Sequence, residues 1–334
     1  MLSRSRLGPR SAVLALVAVL AAAPARAADA ELDRFLPADT EIFVRINIRQ
    51  LLDSKLVKDH LDQVRDYLKQ VDELNTALKD LDFDPFKDID SITTAAPNSN
   101  EQDRGLIIVR GKFKLERFKA KGEDLAKNMA DVVKLHKVGD GAGGQVNLYE
   151  VHIPGQDQVL FVALPNETTL VASAGKDYVA DAIKRTSAKD PVALKNKDFQ
   201  TLLEKLNPKH TLAMAGLGEA LASGGDDLAK DILAKLDAVG GGITVEDDIK
   251  IELVATAKTP QNAKELKETV NDGVTKGLLL VGLLAMQEPK LNPVLDVLKS
   301  VRCTAKEKTL TLKAEVSAEV VDAIRKALSG LLGQ

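Results

Sequence analysis

The sequence predicts an α+β protein built from two similar halves, each an antiparallel sheet with helices packed on one face. Three observations predict it. Segments of alternating apolar and polar residues recur along the chain, joined by short polar turns. Segments with apolar residues at three- and four-residue spacing stand between them. After Pro191 the same order of elements starts again, and Val179-Ala-Asp-Ala-Ile-Lys-Arg185 is nearly repeated as Val320-Val-Asp-Ala-Ile-Arg-Lys326.

The first 27 residues read as a secretory leader. Arg4, Arg6 and Arg10 precede an unbroken run of small apolar residues over 12–23, Pro24 breaks it, and Ala25-Arg26-Ala27 is a signal-peptidase pattern. A run of about 12 residues is shorter than the ~20 that a membrane helix needs. The expected units are a signal peptide over 1–27, an N-terminal half over 28–190 and a C-terminal half over 191–334. The expected location is the periplasm or the cell exterior.

Composition narrows the function. Removing Arg4, Arg6, Arg10 and Arg26 with the leader leaves 42 basic against 49 acidic residues, a formal charge of −7. That gives solubility and no general attraction to nucleic acid or anionic lipid. Aromatics make up 3% of the chain and Trp is absent, so the core must be aliphatic and a base-stacking platform is not expected. Cys303 is the single cysteine, so no internal disulfide supports the fold. It sits in Val301-Arg-Cys-Thr-Ala305, read as a strand, and is expected to be buried and inert, with a reactive or dimer-forming thiol as the alternative.

The elements follow in order. Residues 41–48 alternate as a strand after the Leu36-Pro-Ala-Asp39 turn. A long helical pattern over 49–80 carries Leu52, Leu56, Leu61, Val64 and Leu68, with a break at Asp53 or Ser54, and Asp84-Pro85 stops it. Strands over 91–96 and 105–110 flank the polar stretch 97–103. A helix is expected over 114–135, with Leu115, Phe118, Leu125, Met129, Val132 and Val133 inward. Strands over 146–153, 158–164 and 168–173 are joined by hairpin turns, and a helix follows over 176–186. The second half has a short helix at 198–206, a strand at 211–215, a helix over 217–236 interrupted at Ser223-Gly-Gly225, and a hairpin of 242–245 with 249–257. Pro260 then opens a long helix over 261–286. A short helix at 291–298, a hairpin of 300–305 with 309–315 and a helix over 318–332 close the chain.

No residue set forms a catalytic or metal constellation. Asp80, Asp82, Asp84 and Asp88 have calcium-loop spacing, but Pro85 replaces the turn glycine and Ser91 the closing glutamate. Gly139-Asp-Gly-Ala-Gly-Gly144 lacks the Lys-Ser/Thr and the following helix of a phosphate cradle, and reads as a hairpin loop. His60, His136, His152 and His210 show no metal-ligand spacing. Ser173, at a strand-to-helix turn, is the least implausible nucleophile, and no Gly-x-Ser-x-Gly exists. Seven basic residues between Arg104 and Lys121 face one acid, Glu116; interleaved Phe113, Leu115 and Phe118 read as a solvated face of a strand and helix, with an acidic partner or polymer as the alternative. Asn166-Glu-Thr168 fits a glycosylation sequon. Residues 277–286 are apolar all round and read as a central core helix, with a groove or dimer interface as the alternative.

The stretch Leu36-Pro-Ala-Asp-Thr-Glu-Ile-Phe-Val-Arg-Ile-Asn-Ile-Arg-Gln-Leu-Leu-Asp-Ser-Lys55, with the Asp84-Pro-Phe-Lys-Asp-Ile-Asp90 link, resembles the opening of a group of exported bacterial proteins of unknown function. The resemblance covers the first third of the mature chain. It implies export and carries no activity and no site residues. The expectation is an exported, non-enzymatic protein that binds a protein partner or an apolar ligand, with no cofactor, no metal, no nucleic acid, no membrane span in the mature chain, and a homodimer as one form. A hydrolase with a dispersed site, gathering His152 or His210 with acids, and a structural or assembly module are the alternatives.

Overall fold

Alternation in the sequence builds one sheet. The computed structural model describes residues 33–58, 61, 65, 72–98, 104–152, 158–188, 193–222 and 227–323. The expected leader, His60, much of the 49–80 pattern and the last turns of the final helix lie outside these residues. The strands are β1 (Ile42–Asn47), β2 (Ile89–Ala96), β3 (Leu106–Gly111), β4 (Val133–Gly139), β5 (Gln145–His152), β6 (Val159–Asn166) and β7 (Thr169–Ser173). They continue as β8 (Leu212–Leu217), β9 (Leu236–Val245), β10 (Ile249–Ala257), β11 (Arg302–Lys306) and β12 (Thr309–Val316). All twelve join in the order β11-β12-β10-β9-β8-β1-β2-β3-β7-β6-β5-β4, and every neighbouring pair is antiparallel. The sequence left open whether there were two sheets or one. The β1–β8 pairing, Ile42↔Gly216 through Ile46↔Leu212, makes the sheet continuous.

The helices are α1 (Ile48–Asp53), α2 (Lys55–Lys58), α3 (Asp72–Leu81), α4 (Pro85–Asp88), α5 (Leu115–Asn128), α6 (Lys176–Lys184) and α7 (Lys197–Glu204). The second part adds α8 (Gly218–Ala222), α9 (Asp227–Leu233), α10 (Pro260–Gln287) and α11 (Asn292–Ser300). Their boundaries have local causes. The Asn47 side chain accepts from the Gln50 N–H at 3.5 Å at the start of α1. Asp82 takes a left-handed φ of 48° past the end of α3. Asp84 accepts from the Phe86 N–H at 3.0 Å and Pro85 opens α4. Thr259 caps α10 through the Asn262 N–H at 3.0 Å.

The expectation of helices on one face is corrected. One face of the sheet carries Phe43, Ala95, Leu106, Ile108, Leu148 and Val171, which are buried with Val179 and Ile183 of α6 and Phe199 and Leu203 of α7. The other carries Ile92, Val109, Leu164, Leu170 and Ala172 under Ile48 and Leu52 of α1, Leu81 at the end of α3, and Phe86 of α4. The reason is in the strands. Leu106-Ile-Ile-Val109 and Leu170-Val-Ala172 are apolar on both faces, so each side must be covered. Leu266 of α10 packs on the same side as α5, against Ala255 and Leu310.

Three element boundaries also differ from expectation. The helix expected over 114–135 stops at Asn128, and Val133–Gly139 is strand β4 on β5. Val132 and Val133 fit the helical spacing after Met129, but their buried contacts are with Tyr149 and Val151 of the sheet. The helix expected over 217–236 with a break at Ser223-Gly-Gly225 is α8 and α9, and it ends at Leu233 rather than at 236. Strand β9 begins at Leu236, six residues before the strand expected from 242, and runs through Gly240-Gly-Gly242. No side chain fits at Gly241 or Gly242: a Cβ on Gly242 would meet the Leu212 carbonyl oxygen at 2.2 Å and the His210 ring at 2.5 Å.

Candidate functional site: an apolar cavity beneath α5

The apolar face beneath α3 and α5 is not completely filled. A cavity of about 160 Å³ lies between these helices and strands β3 to β7. Its floor includes Ile107, Val162 and Ala172, and its roof Leu78, Phe118 and Leu125. Phe83 and Phe118 line part of it, with Phe113 packed behind them. Phe83 stacks on Phe113 at 5.6 Å, and Phe118 meets both edge-on, at 5.5 Å from Phe83 and 5.7 Å from Phe113. Such pairs hold ring orientation better than aliphatic contacts do.

Two polar side chains touch the cavity. Tyr149 lies against α5 at Gly122, where a Cβ would meet its ring at 2.5 Å. Its hydroxyl accepts from Asn147 Nδ2 at 2.9 Å and donates to the Lys119 carbonyl at 3.4 Å, and burial pushes its pKa upward. Lys121 Nζ pairs with Asp80 at 2.7 Å, and Lys114 with Asp82; both pairs tie α5 to the end of α3. The cavity wall therefore offers apolar contact and no carboxylate, imidazole, thiol or aliphatic hydroxyl. The space is partly open to the surface, and an apolar space of this size accepts a ring the size of benzene.

The residues singled out in the sequence go elsewhere. Asp80 and Asp82 form ion pairs, Asp84 caps α4, and Asp88 Oδ2 accepts from the Asp84 N–H at 2.7 Å. Among the described residues no group of three or more His, Cys, Asp or Glu is placed to hold a metal. Gly139–Gly144 is the β4–β5 hairpin loop, tied by Asp140 Oδ1 accepting from the Ala142 and Gly144 N–H groups at 2.8 and 2.9 Å. Ser173 Oγ donates to the Gly105 carbonyl at 2.5 Å and accepts from the Gly175 N–H at 3.0 Å, so it shapes the turn into α6. Asn166 Oδ1 accepts from the backbone N–H and the hydroxyl of Thr168, both at 2.9 Å.

Most of the basic stretch is paired within the fold. Arg104 pairs with Asp39 at 2.6 Å, Arg110 with Asp33 at 2.5 Å, and Arg117 donates to the Asp80 carbonyl at 3.3 Å. Cys303 is buried and free, and burial raises its thiol pKa. The core-helix expectation for 277–286 is corrected: Leu279 is 70% exposed and Met286 82%. The residues are apolar as read, but the sheet reaches only one side of the helix.

The histidines do not meet the cavity. His210 is 3% exposed on the opposite face, its ring beneath Gly242 and 3.6 Å from Glu252; burial lowers its pKa against the pull of that carboxylate. His136 and His152 lie 2.8 and 2.7 Å from the oxygens of Glu150 on the β4–β5 edge, with Lys134 at 2.9 Å. Lys134 first, then His136 and His152, hold the Glu150 carboxyl down to about 2 from 4.5. A depressed acid stabilises the fold above its unfolded pKa and loses that contribution as pH falls from about 4.5 toward 2. Its partners are water-exposed, so about 1–2 kcal/mol is expected. Glu150→Gln should therefore lower the urea midpoint at pH 7 and leave the two proteins equal near pH 2. An equal gap at both pH values would refute the assignment.

Comparison with known protein families gives no match, and no curated protein matches the sequence. Among solved structures, crystal form I of TP0453 aligns with a TM-score of 0.41 at 10% identity, over 90% of this chain and 98% of that one. Crystal form IV of TP0453 aligns with a TM-score of 0.41 at 11% identity, over 88% and 97%. The chain is α+β with one large antiparallel sheet, and a likeness at this level carries no argument about function.

Proposed function

We propose that the protein is an exported binding protein whose cavity beneath α5 takes a small apolar ligand, an aromatic ring or the end of an alkyl chain. The single observation that supports this most is the unfilled 160 Å³ space with its almost wholly apolar wall. Protein interiors normally pack without voids of that size. Each methylene transferred into such a space contributes about 0.8 kcal/mol, and no polar group there must be desolvated without a partner. The wall carries none of the groups that acyl or phosphoryl transfer needs, so the space is suited to holding a molecule.

The test fills the cavity. Ala172 is buried on its floor, and Ala172→Leu adds three carbons where the wall is empty. n-Butylbenzene should bind the wild-type mature protein in calorimetry and bind Ala172→Leu at least about tenfold more weakly. The variant should melt at or above the wild-type temperature, since filling a void restores contacts. Equal affinity for both proteins would refute the reading. Native mass spectrometry of protein from its own exported fraction would then show whether a natural ligand is carried.

The same reading includes a duplication, with its boundary at residues 190 and 191. The order β1-β2-β3-β7-β6 outward from the centre of the sheet corresponds to β8-β9-β10-β12-β11. A long helix follows the third strand in each, α5 and α10 respectively. Val179 and Val320, first in the repeated heptapeptides, are both buried after the last strand of their halves. The β1–β8 contact between the proposed halves supports a two-fold relation.

A further inference from the structure

Helix α10 changes character along its length. In its first turns Ala263 and Leu266 are buried against the sheet, while Gln261, Glu268 and Asp272 face water. In its last three turns the outward positions become apolar. Leu279 is 70% exposed, Leu280 61%, Leu283 58%, Leu284 46% and Met286 82%, and Val294 of α11 extends the patch. These side chains offer on the order of 600 Å² of apolar surface, at the top of the range for a monomer. Gly282 lies among them with nothing within 4 Å of a Cβ position.

We propose that this patch is the contact between two copies of the chain, with α10 packed antiparallel on α10 about a two-fold axis near Gly282. Two such patches bury about 1,200 Å² in total, the lower end of stable specific interfaces. A two-fold contact pairs the same surface with itself, which an apolar patch satisfies without a complementary partner sequence. The axis also sets Lys276 of each copy opposite Glu288 of the other, beyond either end of the leucines, which gives a rim of opposite charges. The open position at Gly282 lets the two backbones approach closely where the helices cross.

A lipid bilayer is the competing occupant. The 28-residue helix is long and apolar enough to cross a membrane by length and composition. Its outward stripe places Glu268 and Asp272 in line with the leucines, and the chain has no aromatic residue after Phe199. Helices that seek a membrane surface carry basic polar faces and aromatic anchors. Charge and composition therefore favour the second copy.

Sedimentation equilibrium of the mature chain between about 1 and 200 µM tests this. Wild type should be dimeric with a dissociation constant below about 10 µM. Leu279→Lys with Leu283→Lys should weaken it at least about a hundredfold. Their side chains are exposed in the single chain, so at concentrations well below the wild-type dissociation constant the variant should melt with the wild type, and only above it should the wild type melt higher. Lys276→Glu should weaken the dimer about tenfold, and adding Glu288→Lys should restore it. A wild-type monomer at 200 µM overturns the proposal. So does a dimer that survives the leucine substitutions, or a charge reversal that the second substitution leaves unrepaired. Flotation of a monomeric protein with phosphatidylcholine–phosphatidylglycerol vesicles, abolished by the same leucine substitutions, overturns it in favour of the bilayer. Because n-butylbenzene binding is read separately, failure here leaves the cavity reading standing, and the reverse.

Discussion

Phe199→Ala should destabilise the protein by about 3–5 kcal/mol, the cost of removing a fully buried ring from a core. Phe199 is 0% exposed on α7. Its helix starts at Asn196, whose side chain accepts from the Phe199 N–H at 2.9 Å, so the ring is held from the first turn. Around it the cluster draws Phe43 from β1, Ala95 from β2, Leu106 from β3, and Ala213 and Ala215 from β8. The small side chains on β8 leave depth above the sheet, and the ring and Leu203 occupy it. The cluster therefore covers the β1–β8 seam, where the order of strands changes from one part of the chain to the other. Urea unfolding followed by far-ultraviolet circular dichroism should show the midpoint falling. If the seam is what holds the two parts as one unit, the single wild-type transition should broaden or split in the variant. A loss under about 1 kcal/mol would mean that α7 is dispensable to the core.

That seam shows where sequence reading ends. Alternation in Ile42-Phe-Val-Arg-Ile-Asn47 and Ile249-Lys-Ile-Glu-Leu-Val254 fixes which residues share a face, and both strands lie where the pattern puts them. Alternation says nothing about which strand lies beside which, so one sheet or two could not be told from the residues. Strand β4 was hidden because Val132 and Val133 satisfy a helical and an extended pattern equally well, and only pairing with β5 decides. The cavity was hidden for a different reason. Leu78, Phe118, Val162 and Ala172 come from four elements, and a void is a shortfall of volume among them, which no local pattern records. Residues 277–286 were correctly read as apolar all round. Their exposure depends on how much of the helix the sheet covers, a tertiary fact.

Removing one partner of the Arg110–Asp33 pair should cost about 2–3 kcal/mol. The guanidinium sits between several groups at once. Its Nε and Nη2 donate to the two Asp33 carboxylate oxygens at 3.0 and 2.5 Å, its Nη1 donates to Thr169 Oγ1 at 2.6 Å, and its plane lies 4.9 Å from the Phe35 ring centre. A bidentate, stacked arginine loses little side-chain freedom per bond formed. The side chains are 27% and 18% exposed, so the penalty for an abandoned charge falls below that of a fully buried pair. What the pair secures is the start of the described chain: Asp33 Oδ1 also accepts from the Phe35 N–H at 3.0 Å, and Phe35 and Leu36 are 0% and 1% exposed in the core. Arg110→Met keeps most of the aliphatic stem over Phe35 and removes the cation hydrogen-bonded to the Asp33 carboxylate, leaving Arg45 as the nearby positive charge. Adding Asp33→Asn removes the stranded charge, and the double variant should recover part of the loss. The coupling from the four-protein cycle should be about 1–2 kcal/mol. Additive losses would show that the two side chains stabilise the fold separately, Arg110 through Phe35 and Thr169, and Asp33 through its own backbone turn.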